Sequence, residues 1–146
     1  MDVQIRSLNA DDLDRLVTID EAITGRRRER WYKEALHRSQ SGGISMSLGA
    51  VHDGVLIGAM LGSVRYGEFG QPEPSAELDT VLVHPAFHGS GIGRTLMDAL
   101  LGNLKALCVE RLRTQVDWQE QDLLAFLAHT GFVPVPQLVL EHKLDL

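Results

Sequence analysis

The chain contains 146 residues, 44% of them hydrophobic, and carries a formal net charge of −6 at pH 7. A chain of this length buries enough surface to fold without disulfides or metals, so we expect one domain over residues 1–146. The excess of acidic residues argues against non-specific binding to nucleic acid, which relies on positive charge, and favours a cationic partner. A single cysteine excludes a disulfide within the chain.

The hydropathy pattern and the first residues bear on localisation. Residues 1–4 lack the basic and apolar regions of a secretory signal, and no apolar run approaches the length of a membrane span. The six histidines are scattered without the spacing of metal ligands. We therefore expect a cytoplasmic protein with no membrane partner, no nucleic-acid partner and no metal.

Hydrophobic periodicity predicts six strands and four helices in the order β-α-α-β-β-β-α-β-α-β. The first helix follows a cap at Asn9 or Asp11. The strands are expected at residues 3–6, 48–51, 55–64, 76–83, 111–116 and 138–144. The other helices are expected at residues 28–37, 94–107 and 122–129.

Three local signals refine this pattern. His52-Asp53-Gly54 between two apolar runs predicts the turn of an antiparallel hairpin. Gly131 follows the last helix, where a left-handed cap is expected. Cys108, at the end of an apolar helix, is expected to be a small buried hydrophobic residue.

The most distinctive segment is a glycine loop, His88-Gly89-Ser90-Gly91-Ile92-Gly93-Arg94, between a β-branched run and a helix. A strand that turns into a helix through glycines presents consecutive N–H groups at the positive end of the helix dipole, where a phosphate binds. We expect the backbone of residues 89–94 to supply these donors. The alternative is that the glycines only permit a tight, closely packed turn.

Two common nucleotide motifs do not fit this loop. A dinucleotide fingerprint needs G-x-G-x-x-G near the start of a βαβ unit, whereas G-x-G-x-G stands here after a hairpin. A Walker loop needs Gly-Lys followed by Ser or Thr, which this loop lacks.

The element order and the glycine loop resemble the GNAT-type N-acetyltransferase superfamily, including its small ribosomal-protein N-terminal acetyltransferases. The densest match is residues 81–97, where an apolar strand, Pro85 and the glycine spacing precede an aliphatic helix. Ile5-Arg6, the Asp53-Gly54 turn and Thr130-Gly131-Phe132-Val133 also match. The resemblance implies an α/β fold with a mixed, mostly antiparallel central sheet, flanking helices and a splayed strand pair at the cofactor cleft.

The resemblance further implies acetyl coenzyme A as co-substrate and a possible homodimer. The diphosphate would lie against His88, Gly89, Ser90, Gly91, Ile92, Gly93 and Arg94. The amides of pantetheine would pair with the strand backbone at Val81, Leu82 and Val83. His88 stands where the family usually has Arg or Gln, and Arg94 would compensate for the smaller charge.

Acetyl transfer from a thioester needs a neutral amine, so a base must remove a proton. Glu77 and Asp79 lie two residues apart on one strand, and we expect them to share a face and to raise each other's pKa. Glu77 is the leading candidate for the base, and Asp79 is the second carboxylate. By resemblance, a backbone N–H near Val83 would stabilise the oxyanion.

The family resemblance places the acceptor beside the first two helices and the loop after the hairpin. Trp31, Tyr32 and Tyr66 are the candidate acceptor contacts, with core or edge packing as the alternative. Leu127 replaces the tyrosine that often acts as general acid, and Glu120 replaces a common asparagine. The acceptor is a protein N-terminus or a small amine, and a non-catalytic acyl-CoA-binding module and a ligand-free interaction domain stay open as alternatives.

Overall fold

The computed structural model describes residues 1–40, 46–65 and 73–146, which form two compact units, Met1–Gln115 and Val116–Leu146. The strands of the first unit are β1 (Gln4–Ser7), β2 (Ser47–His52), β3 (Val55–Arg65), β4 (Ser75–Val83) and β5 (Leu112–Thr114). Its α-helices are α1 (Leu13–Thr24), α2 (Glu29–Gln40) and α3 (Ile92–Ala106), and the second unit contains α4 (Gln121–His129). Each of these elements confirms a sequence prediction to within a few residues.

The five strands form one sheet in the order β1-β2-β3-β4-β5. Every neighbouring pair is antiparallel except β4 and β5, which are parallel. Only residues 76–78 of β4 pair with β5, although β4 continues to Val83. The expected mixed sheet is therefore confirmed, and β4 runs beyond the end of β5.

Helices cover both faces of this sheet. On one face, α1 and α2 bury an apolar cluster that includes Leu16, Tyr32, Leu36, Ala59, Leu61 and Leu82. On the other face, a Cβ atom added to Gly58 would lie 3.1 Å from Ile92 and 3.4 Å from Leu96 of α3. Because Gly58 and Ala59 are successive residues of β3, they face opposite sides of the sheet. α3 therefore packs on the face opposite α1 and α2.

The connection from β1 to α1 is fixed by a capped turn. The Asn9 side chain accepts a hydrogen bond from the Asp11 N–H, and the Asp12 carboxylate accepts one from the Asn9 N–H. Arg6 donates to both oxygens of Asp12 over 2.8 and 2.9 Å, which lowers the pKa of that carboxyl. The cap predicted at Asn9 is confirmed.

The helix α4 ends in the left-handed cap expected from the sequence. Gly131 has a φ of +103°, and the Phe132 N–H donates to the Leu127 carbonyl over 3.0 Å. The prediction of a strand at residues 138–144 is wrong, since the structure contains no strand there. Leu138 and Leu140 are each 86% exposed. An alternating pattern forms a strand only where a neighbouring strand supplies hydrogen bonds, and residues 116–146 contain none.

The prediction for Cys108 is also wrong, because its side chain is exposed. α3 ends before it, and Cys108 takes a left-handed φ of +59°. Its N–H donates to the Lys105 carbonyl, and the next N–H, that of Val109, donates to the Leu104 carbonyl. These two hydrogen bonds end the helix in a way that places the apolar contact one residue later. Val109 is therefore buried instead of Cys108.

Candidate active site

The glycine loop adopts the conformation that its sequence requires. Gly89 and Gly91 have φ angles of +79° and +82°, and α3 begins directly after Gly91. The helical hydrogen bonds start with the Thr95 N–H, which donates to the Gly91 carbonyl over 3.0 Å. The N–H groups of residues 92–94 therefore precede the first helical bond and point out of the N-terminus of α3. A Cβ atom on Gly89 or Gly91 would meet no atom within 4 Å, so the space beside this loop is open.

Three polar side chains of the loop already have partners. The Ser90 hydroxyl donates to the Phe87 carbonyl. His88 donates from Nε2 to the Val83 carbonyl over 2.6 Å, so this ring nitrogen carries the proton. Arg94 lies 3.4 Å from Asp98, one turn further along α3. The His88 side chain is thus hydrogen-bonded to the last residue of β4. A contact of His88 with a diphosphate stays a prediction.

The last residues of β4 turn part of their backbone away from β3. The His84 N–H donates to the Ile57 carbonyl over 2.8 Å, and Val83 is paired with Gly58. In an antiparallel ladder, pairs with and without hydrogen bonds alternate. Since His84 and Ile57 form a hydrogen-bonded pair, the N–H and carbonyl of Val83 point away from β3, as do those of Val81 two residues earlier. Both residues face the edge at which β5 has already ended.

Leu82, between these two residues, is arranged differently. Its side chain belongs to the core cluster between the sheet and the first two helices. Its carbonyl oxygen would lie 3.0 Å from a Cβ atom on Gly58, so it faces β3. Of the three backbone positions expected to pair with pantetheine, Val81 presents its N–H and carbonyl to the open edge. Val83 presents its N–H there, while its carbonyl accepts from His88, and Leu82 presents neither group.

A β-bulge lies in the middle of β4. Leu78 pairs with Gly62 and Thr80 pairs with Leu61, which leaves Asp79 as an extra residue. Residues opposite each other in a ladder share a face, so Thr80 shares the face of Leu61, which is covered by α1 and α2. Asp79 also reaches this face, because its Oδ2 lies 3.9 Å from a guanidinium nitrogen of Arg38 on α2. Two successive residues therefore approach one face, which a regular strand does not permit.

The Asp79 carboxyl is mostly buried, with 17% of its side chain exposed. Its Oδ2 is buried and has no hydrogen-bond partner among the described residues. Burial raises the pKa of Asp79, and the nearby guanidinium groups of Arg38 and Arg65 oppose that rise. The sequence predicted a raised pKa from a second carboxylate, whereas desolvation is the largest cause here.

The Glu77 carboxylate is engaged in an ion pair. Its Oε2 lies 2.7 Å from Nε of Arg65, and 34% of its side chain is exposed. This ion pair stabilises the ionised carboxylate of Glu77 and engages one of its two oxygens. The role of Glu77 as the base stays a prediction.

The two aromatic residues of α2, Trp31 and Tyr32, differ in burial. Tyr32 is fully buried, and Trp31 is half-buried against the core. Arg28 stacks on both rings and donates to the buried Asp20 over 2.7 and 2.8 Å. We propose no acceptor contact for Tyr32, since its side chain has no exposed surface, while the contact of Trp31 stays a prediction. Tyr66 lies outside the described residues.

Sequence reasoning missed three residues of this site, namely Arg38, Arg65 and Thr80. A polar Thr80 at the head of an apolar run was a visible signal. Arg65 becomes a neighbour of Glu77 only through the pairing of β3 with β4. The described residues contain no group of three or more His, Cys, Asp or Glu side chains arranged to hold a metal ion. Among the described helices, none combines the length and hydropathy that crossing a membrane requires.

A family comparison agrees with this geometry, since the acetyltransferase (GNAT) family model matches residues 9–132. The chain belongs to the GNAT acetyltransferase family. Members of this family take the acetyl group from acetyl coenzyme A, so this GNAT chain is an acetyl-CoA-dependent acetyltransferase. No curated protein matches the sequence.

Solved structures with the same fold include three proteins that are described as having different functions. A transcriptional regulator from Bacillus halodurans C-125 is 20% identical, with a TM-score of 0.79 over 97% of this chain and 100% of that one. A ribosomal-protein-alanine N-acetyltransferase from Brucella melitensis biovar Abortus 2308 is 17% identical, with a TM-score of 0.78 over 98% and 100%. An aminoglycoside N-acetyltransferase in complex with CoA is 16% identical, with a TM-score of 0.77 over 97% and 95%. At these identities the likeness establishes the fold of this GNAT chain.

Proposed function

We propose that this enzyme transfers the acetyl group of acetyl coenzyme A to a primary amine by direct attack, with Asp79 as the general base. One observation carries the proposal. A buried carboxylate oxygen of Asp79, which has no hydrogen-bond partner among the described residues, lies in a bulge two residues before the open backbone edge that starts at Val81. Acetyl coenzyme A supplies an acetyl thioester when it is bound.

The described residues fit the binding of this co-substrate. The N–H groups of residues 92–94 at the positive end of α3 suit a diphosphate, and the open space beside Gly89 and Gly91 leaves room for it. The backbone groups of Val81 and Val83 suit the amides of pantetheine, as a neighbouring strand would. The Val83 N–H, at the end of this edge, is the candidate donor to the oxyanion.

Asp79 has the properties that the base needs. Its raised pKa brings its proton affinity closer to that of the amine than an exposed aspartate would have. As the bond from nitrogen to the acetyl carbon forms and the bond from carbon to sulfur breaks, Asp79 takes the proton that the nitrogen loses. Leu127 has no proton to donate, so the departing thiolate takes its proton from water.

The charge along α2 bears on the acceptor. A groove of about 770 Å³ is lined by the described residues Arg30, Lys33 and Arg38, with Glu34 as the acidic residue among them. This local excess of positive charge repels a polycation, although the whole chain is acidic. We therefore favour a protein N-terminus or a small amine over an aminoglycoside as the acceptor.

The test measures coenzyme A release with a panel of amines: an alanine-starting peptide, tyramine, spermidine and sisomicin. Asp79→Asn should lower kcat at least about a hundredfold, because a general base contributes about 10² to 10⁴. Glu77→Gln should lower it less than about tenfold, which makes it the matched control. The proposal is overturned if the protein binds acetyl coenzyme A but releases no coenzyme A with any of these amines. It is also overturned if Glu77→Gln lowers kcat more than Asp79→Asn does.

A further inference from the structure

Thr80, like Asp79, carries a buried polar atom that has no hydrogen-bond partner in the described part of the chain. Its Oγ1, like Oδ2 of the preceding Asp79, is buried and makes no hydrogen bond with the described residues. Buried polar atoms without partners are uncommon in folded proteins, and each one calls for an explanation. Here two of them stand on consecutive residues.

The bulge explains how both atoms reach one place in the fold. Thr80 shares the face of Leu61, and Asp79 approaches Arg38 on the helix that covers that face. In a regular strand, Asp79 and Thr80 would point to opposite sides of the sheet. The extra residue in β4 therefore brings a carboxylate and a hydroxyl together beside the open edge that starts at Val81.

We infer that Thr80 and Asp79 together hold the two N–H groups of a primary-amine acceptor, an inference that rests on the proposed function. A neutral primary amine has two N–H groups and one lone pair. Asp79 accepts one N–H and the Thr80 hydroxyl oxygen accepts the other. The lone pair is then directed at the acetyl carbon. When nitrogen bonds to carbon and sulfur departs, the proton leaves for Asp79, and Thr80 keeps its own hydroxyl proton.

This arrangement predicts a preference for primary over secondary amines. A secondary amine has one N–H group, so it leaves either Asp79 or Thr80 buried without a partner. An unpaired buried acceptor weakens binding by about tenfold or more. We therefore expect kcat/KM for each primary amine of the panel to be about tenfold higher, or more, than for its N-methyl counterpart.

Thr80→Val tests the role of the hydroxyl, because valine has the same shape and a methyl group in its place. This variant should lower kcat/KM for the primary amine by about tenfold and leave the N-methyl amine unchanged, so the ratio falls to near one. It should also raise Tm, since an unpaired buried hydroxyl destabilises the folded state. Thr80→Ser keeps the hydroxyl and should keep the ratio.

Thr114 on β5 provides the matched control. Its Oγ1 donates to the Leu78 carbonyl over 2.9 Å, so Thr114→Val should lower Tm and leave the amine ratio unchanged.

The outcomes separate this inference from the proposed function. A wild-type ratio near one, or Thr80→Val with a lower Tm and an unchanged ratio, overturns the inference and identifies a hydroxyl that serves the fold alone. If that happens while Asp79→Asn still abolishes turnover, acetyl transfer stands. If the wild-type enzyme acetylates no amine, the proposed function fails, and this inference fails with it.

Discussion

Replacing Gly91 by alanine tests the loop that we propose as the diphosphate site of acetyl coenzyme A. Gly91 has a φ of +82°, and a Cβ atom there would meet no atom within 4 Å. Gly25, at the end of α1, has a φ of +77° and equally open surroundings. Gly91→Ala and Gly25→Ala therefore introduce the same methyl group into the same backbone conformation, and only the first lies beside the N-terminus of α3.

The two variants should lose similar stability and differ in affinity. A left-handed alanine costs about 1 to 2 kcal/mol, which lowers Tm by roughly 4 °C or more in a chain of this size. In Gly91→Ala the methyl group also stands where a phosphate would approach the N–H groups of residues 92–94. Losing one hydrogen bond to a charged group weakens binding by about 1.5 to 3 kcal/mol, or more than tenfold in Kd.

Calorimetric titration with acetyl coenzyme A and thermal unfolding measure the two quantities. We expect a similar fall in Tm for both variants and a rise in Kd for Gly91→Ala alone. An unchanged Kd in Gly91→Ala, or an equal rise in Gly25→Ala, would refute the assignment of the loop as the diphosphate site.

Three further predictions follow from other residues. Cys108→Gly should raise the free energy of unfolding by about 1 kcal/mol, because glycine adopts the left-handed φ of +59° without strain, and Cys108→Val should lower it in the same thermal assay. Burial raises the pKa of Asp79 above 3.8. Because a protonated Asp79 cannot act as the base, kcat/KM should begin to fall on acidification at a pH above 3.8. Arg38→Met removes a cation that lowers this pKa, so its acid limb should lie at higher pH, and an unmoved limb in the pH profile would contradict the role of Asp79 as base. Leu138→Ser combined with Leu140→Ser should leave Tm unchanged because both side chains are exposed, whereas a large fall would mean that this segment packs as a strand.

The same burial gives Asp79 a defined effect on stability. A carboxyl whose pKa is raised on folding binds its proton more tightly in the folded state. Its ionised form therefore destabilises the protein at neutral pH, and this cost disappears as the pH falls through the raised pKa. Asp12, whose pKa is lowered by Arg6, behaves in the opposite way and loses its stabilising effect on acidification.

The sequence predicted the features that depend on short stretches of chain. The left-handed glycine at Gly131, the cap at Asn9 and the turn after His52 each follow from a few neighbouring residues, and the structure confirms them. The mixed, mostly antiparallel sheet followed from the family resemblance. These features required no knowledge of which side chains meet across the sheet.

Features that depend on pairing between distant residues were not predictable in this way. Glu77 is the leading candidate for the base by its place along the strand, and its ion pair with Arg65 on β3 shows only once the two strands are paired. Counting alternate residues places Asp79 correctly relative to Glu77 but misplaces Thr80, since the bulge shows only when β3 and β4 are paired. Residues 138–144 have the alternation of a strand, and the missing hydrogen-bonding neighbour is equally invisible in the sequence.

The extra residue in β4 shifts the periodicity of the strand by one position. Removing Asp79 would restore an unbroken alternation, with Thr80 still opposite Leu61, and would take away the carboxylate that approaches the same face. A more regular, more easily designed sheet would thus lose the carboxylate that we propose as the base, while every other chemical group would still be present. On this proposal, a redesign that idealises the backbone of β4 should retain the fold and lose turnover.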